Sequence, residues 1–401
     1  MNIILFDEPL LKTRLLPFTF IRPVAAIRIG ILKIYEKWQM CIDSTVSFLT
    51  EPYLKEKFSP VYAERNLYLN GAVCPNENIL EIIKNLNEGQ GLQAKGILIA
   101  YKSSEIITSL EELIGIYHKN EKNFLTVRTE TILQHPWQIF TGNKREIEVD
   151  FTRLTHNRES IGIDDPHTKV YYPERIFVEE GAKTRAAIIN AEKGSIYIGK
   201  NACIHEGAMV RGTLALCDNA EINMGAKIRG DNTFGPYCKI GGEVTNSVFF
   251  GFSNKGHDGY LGNAIIGEWC NIGADSNSSN LKNNYSQVKV WDYKAADYLP
   301  SGLQFCGLMM GDHSKCGINT MFNTGTIVGI AAIIFGTGFP QKYIPSFTWG
   351  GISNHETFQL DKMFELAENV FTRKGKTFTD LDRAIFKHVF NVTKRFRENA
   401  C

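Results

Sequence analysis

The stretch from Ile198 to Ile240 decides the fold, because it divides without a gap into hexads: IGKNAC IHEGAM VRGTLA LCDNAE INMGAK IRGDNT FGPYCK I. The first position of each hexad is large and apolar, and the fifth is mostly small, as at Ala202 and Ala208. A period of six is typical of a left-handed parallel β-helix, whose coils are triangles with three flat faces. The large residue then points into the prism, and the small one lies at a corner.

The same period returns further along the chain, after breaks of two residues beyond a multiple of six. A fragment contains Ile266 and Ile272. A second full run has its large side chains at Met310, Cys316, Phe322, Val328 and Ile334. An antiparallel β-sandwich would instead show a period of two, with turns about every 8–12 residues. We therefore predict a β-helix over residues 186–345.

The segments on either side of the repeats have ordinary periodicities. Residues 1–150 mix strands and helices, which predicts an α/β domain. The expected strands are residues 2–6, 66–69 and 97–100, and the expected helices are residues 27–38, 78–87 and 110–118. Residues 151–185 are polar and predict a linker. Helical apolar spacing at 361–373 and 380–397 predicts C-terminal helices within residues 346–401.

Composition narrows the classes of function. The net charge of +1 gives no bulk field that would attract nucleic acid or an anionic membrane. The longest apolar stretch, Ile327–Phe335, is about half as long as a membrane span. Nine cysteines without paired spacing, and no signal-peptide pattern, indicate reduced thiols and a cytoplasmic protein.

The segment from Lys255 to Ala274 contains one histidine, His257, at a point where the hexad register is broken. Its ring therefore need not point into the core. A neutral imidazole can take a proton from an attacking amine, although a lone histidine in a loop is more often a surface residue.

Three motifs in this segment resemble one known family. Gly256-His257, Tyr260-Leu261-Gly262 and Asn271-Ile272-Gly273-Ala274 have the spacing of the acetyltransferase half of the bifunctional N-acetylglucosamine-1-phosphate uridylyltransferase/glucosamine-1-phosphate acetyltransferase. The resemblance implies that His257 is the general base and that acetyl-CoA is the acyl donor.

The resemblance also implies roles for four further residues. Tyr260 and Asn271 would hold the sugar phosphate or orient the amine, and Ala274 would lie beside the acyl-CoA. Arg229 stands where the family has a phosphate-binding arginine, and a guanidinium fork suits a phosphate.

The N-terminal segment is similar to the same family at its nucleotide-binding loop, which reads Gly-x-Gly-Thr-Arg there. Thr13-Arg14 is kept, but Leu10 and Lys12 occupy the glycine positions, and Asn70-Gly71 replaces a magnesium-binding Gly-Asp turn. The resemblance implies UTP as a cosubstrate and Mg²⁺ as a cofactor, with the metal ligands left open. The nucleotide-binding residues would be Lys12, Arg14, Arg22, Arg28, Asn70 and Gly71.

The resemblance implies acetyl transfer to glucosamine 1-phosphate, then uridylyl transfer from UTP, giving UDP-N-acetylglucosamine and pyrophosphate. Two alternatives stay open: an acyltransferase for another amino sugar with an inactive N-terminal domain, and a non-catalytic β-helix protein that binds a sugar nucleotide. The family's lysines upstream of the histidine are replaced at residues 244–247, which favours the alternatives. Such β-helices resemble trimeric proteins, so a homotrimer is expected.

Zinc and P-loop chemistry are disfavoured. Some β-helix enzymes bind zinc through three histidines, two of them about five residues apart. His205, His257 and His313 are much more widely spaced, and the chain contains no P-loop motif.

Overall fold

The computed structural model describes residues 2–128, 131–351 and 355–398. They form two compact units. The first consists of the described residues within 1–27, 32–136 and 380–388, and the second of those within 28–31, 137–379 and 389–401.

The first unit contains a six-stranded mixed sheet with the order β2-β1-β3-β5-β4-β6. Its strands are β1 (Asn2–Phe6), β2 (Val46–Leu49), β3 (Asn66–Asn70), β4 (Gly91–Ala94), β5 (Ile97–Ser103) and β6 (Leu125–Thr126). Its helices are α1 (Pro9–Arg14), α2 (Ile34–Ile42), α3 (Glu77–Lys84) and α4 (Leu110–Asn120). The predicted α/β class is confirmed.

One predicted helix, residues 27–38, begins only at Ile34. Residues 28–31 belong to the second unit. Side chains of that unit accept hydrogen bonds from their backbone amides. Gly30 N donates to Asn143 Oδ1 at 2.8 Å, and Ile31 N donates to Asp150 Oδ2 at 2.9 Å. These tertiary hydrogen bonds override the apolar pattern of the sequence.

The second unit is built on a parallel β-helix of about ten turns with three faces. The first face has the strands Lys169–Tyr171, Ile188–Asn190, Met209–Arg211, Lys227–Arg229, Glu243–Thr245, Tyr260–Gly262, Asn277–Ser278 and Met321–Phe322. The second has Ile176–Val178, Ile196–Ile198, Leu214–Leu216, Asn232–Phe234, Val248–Gly251, Ile265–Glu268, Met309–Met310, Ile327–Val328 and Tyr343–Ile344. The third has Lys183–Thr184, Cys203–Ile204, Glu221–Ile222, Lys239–Ile240, Asn254–Lys255, Asn271–Ile272, Lys315–Cys316, Ile333–Phe335 and Thr348–Gly351. A further strand, His355–Thr357, pairs antiparallel with Thr348–Gly351.

The hexads place side chains as their spacing predicts. The large first-position residues from Ile198 to Ile240 are all buried, and so are the small residues Ala202 and Ala208. Stacked coils thus share one continuous apolar core. The first strand of the prism, Lys169–Tyr171, already lies within the predicted linker.

Other elements precede, interrupt and follow the coils along the chain. Helices α5 (Gln138–Thr141) and α6 (Asn143–Thr155) precede them, and a hairpin of Lys289–Asp292 and Asp297–Pro300 interrupts them. Helices α7 (Leu360–Arg373), α8 (Asp380–Val392) and α9 (Lys394–Glu398) follow. Among the described helices, none combines the length and the apolar character needed to cross a membrane.

Candidate active site

His257 lies at the corner where the chain passes from the third face to the first, between Lys255 and Tyr260. Its side chain is exposed. Within the described residues the ring nitrogens have no hydrogen-bond partner, whereas the preceding carbonyl, Gly256 O, accepts from Asn223 Nδ2 at 2.8 Å. The backbone of the corner is therefore fixed, and the imidazole is available to a substrate.

A cavity of about 700 Å³ opens beside this corner on the third face. Its floor consists of outward residues that occupy one position on four successive coils: Lys239, Asn254, Asn271 and Lys315. His257 and Ala274 line it at the corner. The structure thus brings together three of the predicted site residues: His257, Asn271 and Ala274.

Helix α7 supplies the cavity's other wall through Val370, Arg373 and the adjacent Lys374. Aromatic stacking holds the helix there, because Phe371 lies on Trp269 with ring centroids 4.1 Å apart. Trp269 stacks in turn on Phe252 at 4.2 Å. The C-terminal helix is therefore part of the site.

The charged side chains that line the cavity are all cationic, and none of the described lining residues is acidic. They are Lys239, Lys315, Arg373 and Lys374. Lys239 Nζ contacts Glu221 outside the cavity at 3.0 Å. Burial, and then the neighbouring charge of Lys239, lowers the pKa of Lys374. Such a lining favours an anionic ligand.

The cavity also contains an unsatisfied acceptor. Asn254 Oδ1 is buried, and no donor in the described part of the chain reaches it. A buried acceptor without a partner costs free energy unless a ligand or water supplies the donor. An amide or ammonium N–H would satisfy it.

Arg229 and Tyr260 lie outside this cavity, on the first face around the corner. Arg229 is 61% exposed, and its Nη2 lies 2.7 Å from Glu243 Oε1. Tyr260 Oη accepts from Asn280 Nδ2 at 3.0 Å. Their predicted contacts with a sugar phosphate therefore require a ligand that reaches from the corner onto the first face.

In the first unit, two of the predicted nucleotide-binding cations are buried. Lys12 is 3% exposed, and its Nζ lies 2.8 Å from Asp7 Oδ2 and 3.1 Å from Thr50 Oγ1. Arg22 is also buried, and its Nη1 donates to Phe18 O at 3.3 Å. Arg14, at the end of α1, is partly exposed.

Arg28 belongs to the second unit. It is buried there, and its Nε donates to Phe250 O at 3.1 Å. Arg28 is therefore bonded to the β-helix strand Val248–Gly251 in the second unit, whereas the resemblance assigned it to nucleotide binding.

The predicted magnesium region does not fit the ion. Asn70 is fully buried; its Nδ2 donates to Leu98 O at 2.8 Å, and its Oδ1 accepts from Ala72 N at 2.9 Å. Gly71 N donates to Phe6 O at 2.8 Å. Among the described residues, no group of three or more His, Cys, Asp or Glu side chains is arranged to hold a metal.

Sequence reasoning missed Asn254 and the four cations of the cavity. Lys239, Lys315 and Arg373 come from distant segments, and no spacing connects them. The one available signal was the end of helix α7, where Arg373 and Lys374 are adjacent.

These features define a chain with an α/β domain and a hexapeptide β-helix whose corner carries an exposed histidine beside a cavity with a cationic lining. Comparison with known proteins agrees: residues 3–159 match the family model described as sugar nucleotidyl transferase. The resemblance seen in the sequence is confirmed.

Three curated relatives are similar to parts of the chain. It is 31% identical to the bifunctional protein GlmU of Trichodesmium erythraeum over 135 residues, 33% of this chain and 24% of that protein. It is 30% identical over 152 residues to the bifunctional sugar-1-phosphate nucleotidylyltransferase/acetyltransferase of Sulfurisphaera tokodaii, covering 33% and 37%. It is 23% identical to the GlmU of a Nostoc species over 257 residues, covering 61% and 53%. The matches span about a quarter to a half of these relatives.

Proposed function

We propose that this protein acts in sugar-nucleotide biosynthesis and transfers an acetyl group from acetyl-CoA to the amine of glucosamine 1-phosphate. One observation carries the proposal: the exposed imidazole of His257 lies at the corner of a cavity whose charged side chains are all cationic. The name of the Sulfurisphaera tokodaii relative, which combines sugar-1-phosphate nucleotidyl transfer with acetyl transfer, supports it.

In the proposed reaction the amine nitrogen attacks the thioester carbonyl while His257 takes its proton. The N–C bond forms, the C–S bond breaks, and the coenzyme A thiolate leaves and takes up a proton. A general base is needed because an ammonium has no lone pair for attack. Direct transfer requires no acyl-enzyme.

The experiment is incubation of the purified chain with acetyl-CoA and glucosamine 1-phosphate. Thiol release and the acetylated product would be followed by a colour reaction and mass spectrometry. We expect stoichiometric release of both products. Thiol release without sugar acetylation, or no release with this sugar or other amino-sugar phosphates, would contradict the proposal.

The cationic wall suits the phosphates of the donor, since charge-assisted hydrogen bonds are about twice as strong as neutral ones. We expect the double variant Arg373→Glu/Lys374→Glu to raise the KM for acetyl-CoA by roughly tenfold or more, with kcat at saturation little changed. Steady-state kinetics with acetyl-CoA varied would measure this.

The matched control is Lys362→Glu, a charge reversal at the opposite end of α7 and outside this cavity. An equal rise in KM in the control would show that only the net charge of the helix matters. An unchanged KM in the double variant would show that the donor binds elsewhere.

We further propose a homotrimer. Met224 and Ile318 lie at the same type of corner as His257, on coils before and after it, and are 74% and 71% exposed. A second copy packed on this corner would cover both and would bring its own groups to the open side of the cavity. Light scattering of the native chain and of Ile318→Lys tests this, and a native monomer would refute it.

The second half of the proposed function is uridylyl transfer in residues 3–159, which the family model supports. Of the four predicted cations, Arg14 is the one that is partly exposed in the first unit. Asn70 does not fit as a ligand of Mg²⁺, because both its amide nitrogen and its amide oxygen are hydrogen-bonded to the backbone.

We therefore expect UTP to bind the full chain weakly, with a Kd of about 10⁻⁴ M or weaker. Arg14→Ala should abolish that binding, whereas Arg145→Ala, a partly exposed arginine of the second unit, should not. Calorimetry decides the matter. A Kd in the micromolar range or below, or binding that survives Arg14→Ala, would contradict this reading.

A further inference from the structure

A lysine occupies the apolar interior of the β-helix directly beside the proposed base. Lys255 is 1% exposed and stands at an inward position of the third face, paired in register with Ile240. The next inward residue along that face is Ile272. An isoleucine would therefore fit here, and a buried ammonium is costly unless it is well bonded.

The ammonium joins two successive corners. Lys255 Nζ donates to Gly241 O at 3.1 Å, and Gly241 lies on the preceding coil. It also donates at 2.8 Å to the carbonyl of His257 itself. The backbone of the proposed base is thus tied to the coil before it.

The preceding corner is unusually short. From Ile240 to Val244, both inward residues, the chain takes four steps instead of six. The Lys255 ammonium lies directly against this shortened corner. A Cβ added to Gly242 would be only 2.7 Å from Lys255 Nζ and 2.8 Å from His257 O. Gly242, at φ 68°, allows this close approach.

We propose that Lys255 is a positioning residue, which holds the carbonyl of His257 against the shortened corner and thereby fixes the direction of the imidazole. This inference rests on the proposed acetyl transfer. A displacement of about 1 Å at a reacting group is enough to cost a large factor in rate.

The titratable groups that face Lys255 are Asp258, Asp275 and the Cys316 thiol. Burial lowers the pKa of Lys255 to about 8, and the two carboxylates act in the opposite direction. As the pH rises through about 8, the ammonium loses its charge and its hydrogen bonds weaken. The acetyl-transfer rate should therefore show a falling limb above that pH.

The test compares Lys255→Met with Ile240→Met, which introduces the same side chain at the preceding inward position. We expect Lys255→Met to lower kcat at least tenfold and to lose the falling limb near pH 8. The KM for acetyl-CoA should not change. Thermal stability should be equal or higher, because an apolar residue of similar volume replaces a buried charge. Ile240→Met should keep kcat and the pH profile.

Hydrogen exchange supplies a readout that needs no activity. The amides of Gly241, Glu243 and Asp275 donate to the carbonyls of Lys255, Gly259 and Asp258 at this corner. They should exchange faster in Lys255→Met than in the native chain, and at the native rate in Ile240→Met. If the native chain does not transfer acetyl groups, the proposed function fails, and exchange still decides whether Lys255 holds the corner. Native exchange in Lys255→Met, or equal loss of activity in both variants, would overturn the inference.

Discussion

Replacing His257 with alanine should lower the kcat for acetyl transfer to glucosamine 1-phosphate by about 10²–10⁴-fold, the range contributed by a positioned general base. The reason is geometric: His257 stands exposed at the rim of the cationic cavity, and the described part of the chain gives its ring no competing partner. The KM for acetyl-CoA should stay within a few-fold of native, because Lys239, Arg373 and Lys374 are unchanged. Thiol-release kinetics would measure both constants.

Two controls sharpen this prediction. His257→Gln keeps a polar side chain but cannot take the proton, so it should be nearly as slow as the alanine variant. His205→Ala removes a histidine from another corner of the same type, outside the cavity, and should keep full activity. Native kcat in either His257 variant would remove the base from the mechanism.

Much of the β-helix was predictable from sequence because its period has a direct physical cause. Each inward residue, such as Ile204 or Ile222, must be large and apolar to fill its layer, and each corner residue, such as Ala208, must be small. Both requirements recur every six residues and are visible in a single sequence.

The first coil was not predictable, because its spacing departs from the period. Thr184 takes the inward place that Ile204 has on the next coil, and the step from Thr184 to the next inward residue, Ile189, is five residues. At the end of a prism a layer is covered on one side only, so a polar or half-buried residue is tolerated. The pattern that identifies the fold is weakest there.

The residues of the candidate site also differ in whether the sequence could predict them. His257, Asn271 and Ala274 lie within one segment, so their motif spacing predicted them together. The cations did not appear as a set, because Lys239 and Lys315 become neighbours only when coils stack. Arg373 joins them only because Phe371 anchors α7 on Trp269. Contacts that form only through tertiary packing produce no repeating pattern in the sequence.

The residues that the resemblance assigned to nucleotide binding have contacts in the structure that the resemblance did not imply. It assigned Lys12 to phosphate, yet the structure places Lys12 in a buried ion pair with Asp7. Thr50 Oγ1 accepts from the same ammonium and donates to Asp7 Oδ2, so it bridges the pair. The apolar pattern of the sequence could not show this, because Asp7 and Lys12 meet only through the turn from β1 into α1, and Thr50 comes from a distant segment.

Lys12→Met should therefore destabilise the first unit by about 3–5 kcal/mol, the usual cost of leaving one partner of a buried ion pair uncompensated. Asp7 is 1% exposed and would keep its bond from Val24 N, at 2.7 Å, but would lose its counter-charge. The measurement is hydrogen exchange of β1 and β3 in urea, which reports on this unit separately from the β-helix.

The matched control is Lys57→Met, which breaks a pair with Asp382 in the same unit. The Lys57 side chain is 41% exposed and the Asp382 side chain 10%, whereas both partners of the Lys12 pair are almost fully buried, so this loss should cost clearly less than the loss of Lys12. The double variant Asp7→Asn/Lys12→Met should recover most of the stability, because no unpaired charge remains. Full stability of Lys12→Met together with loss of UTP binding would instead mean that Lys12 serves the nucleotide, and the ion pair would then be a resting contact that UTP displaces.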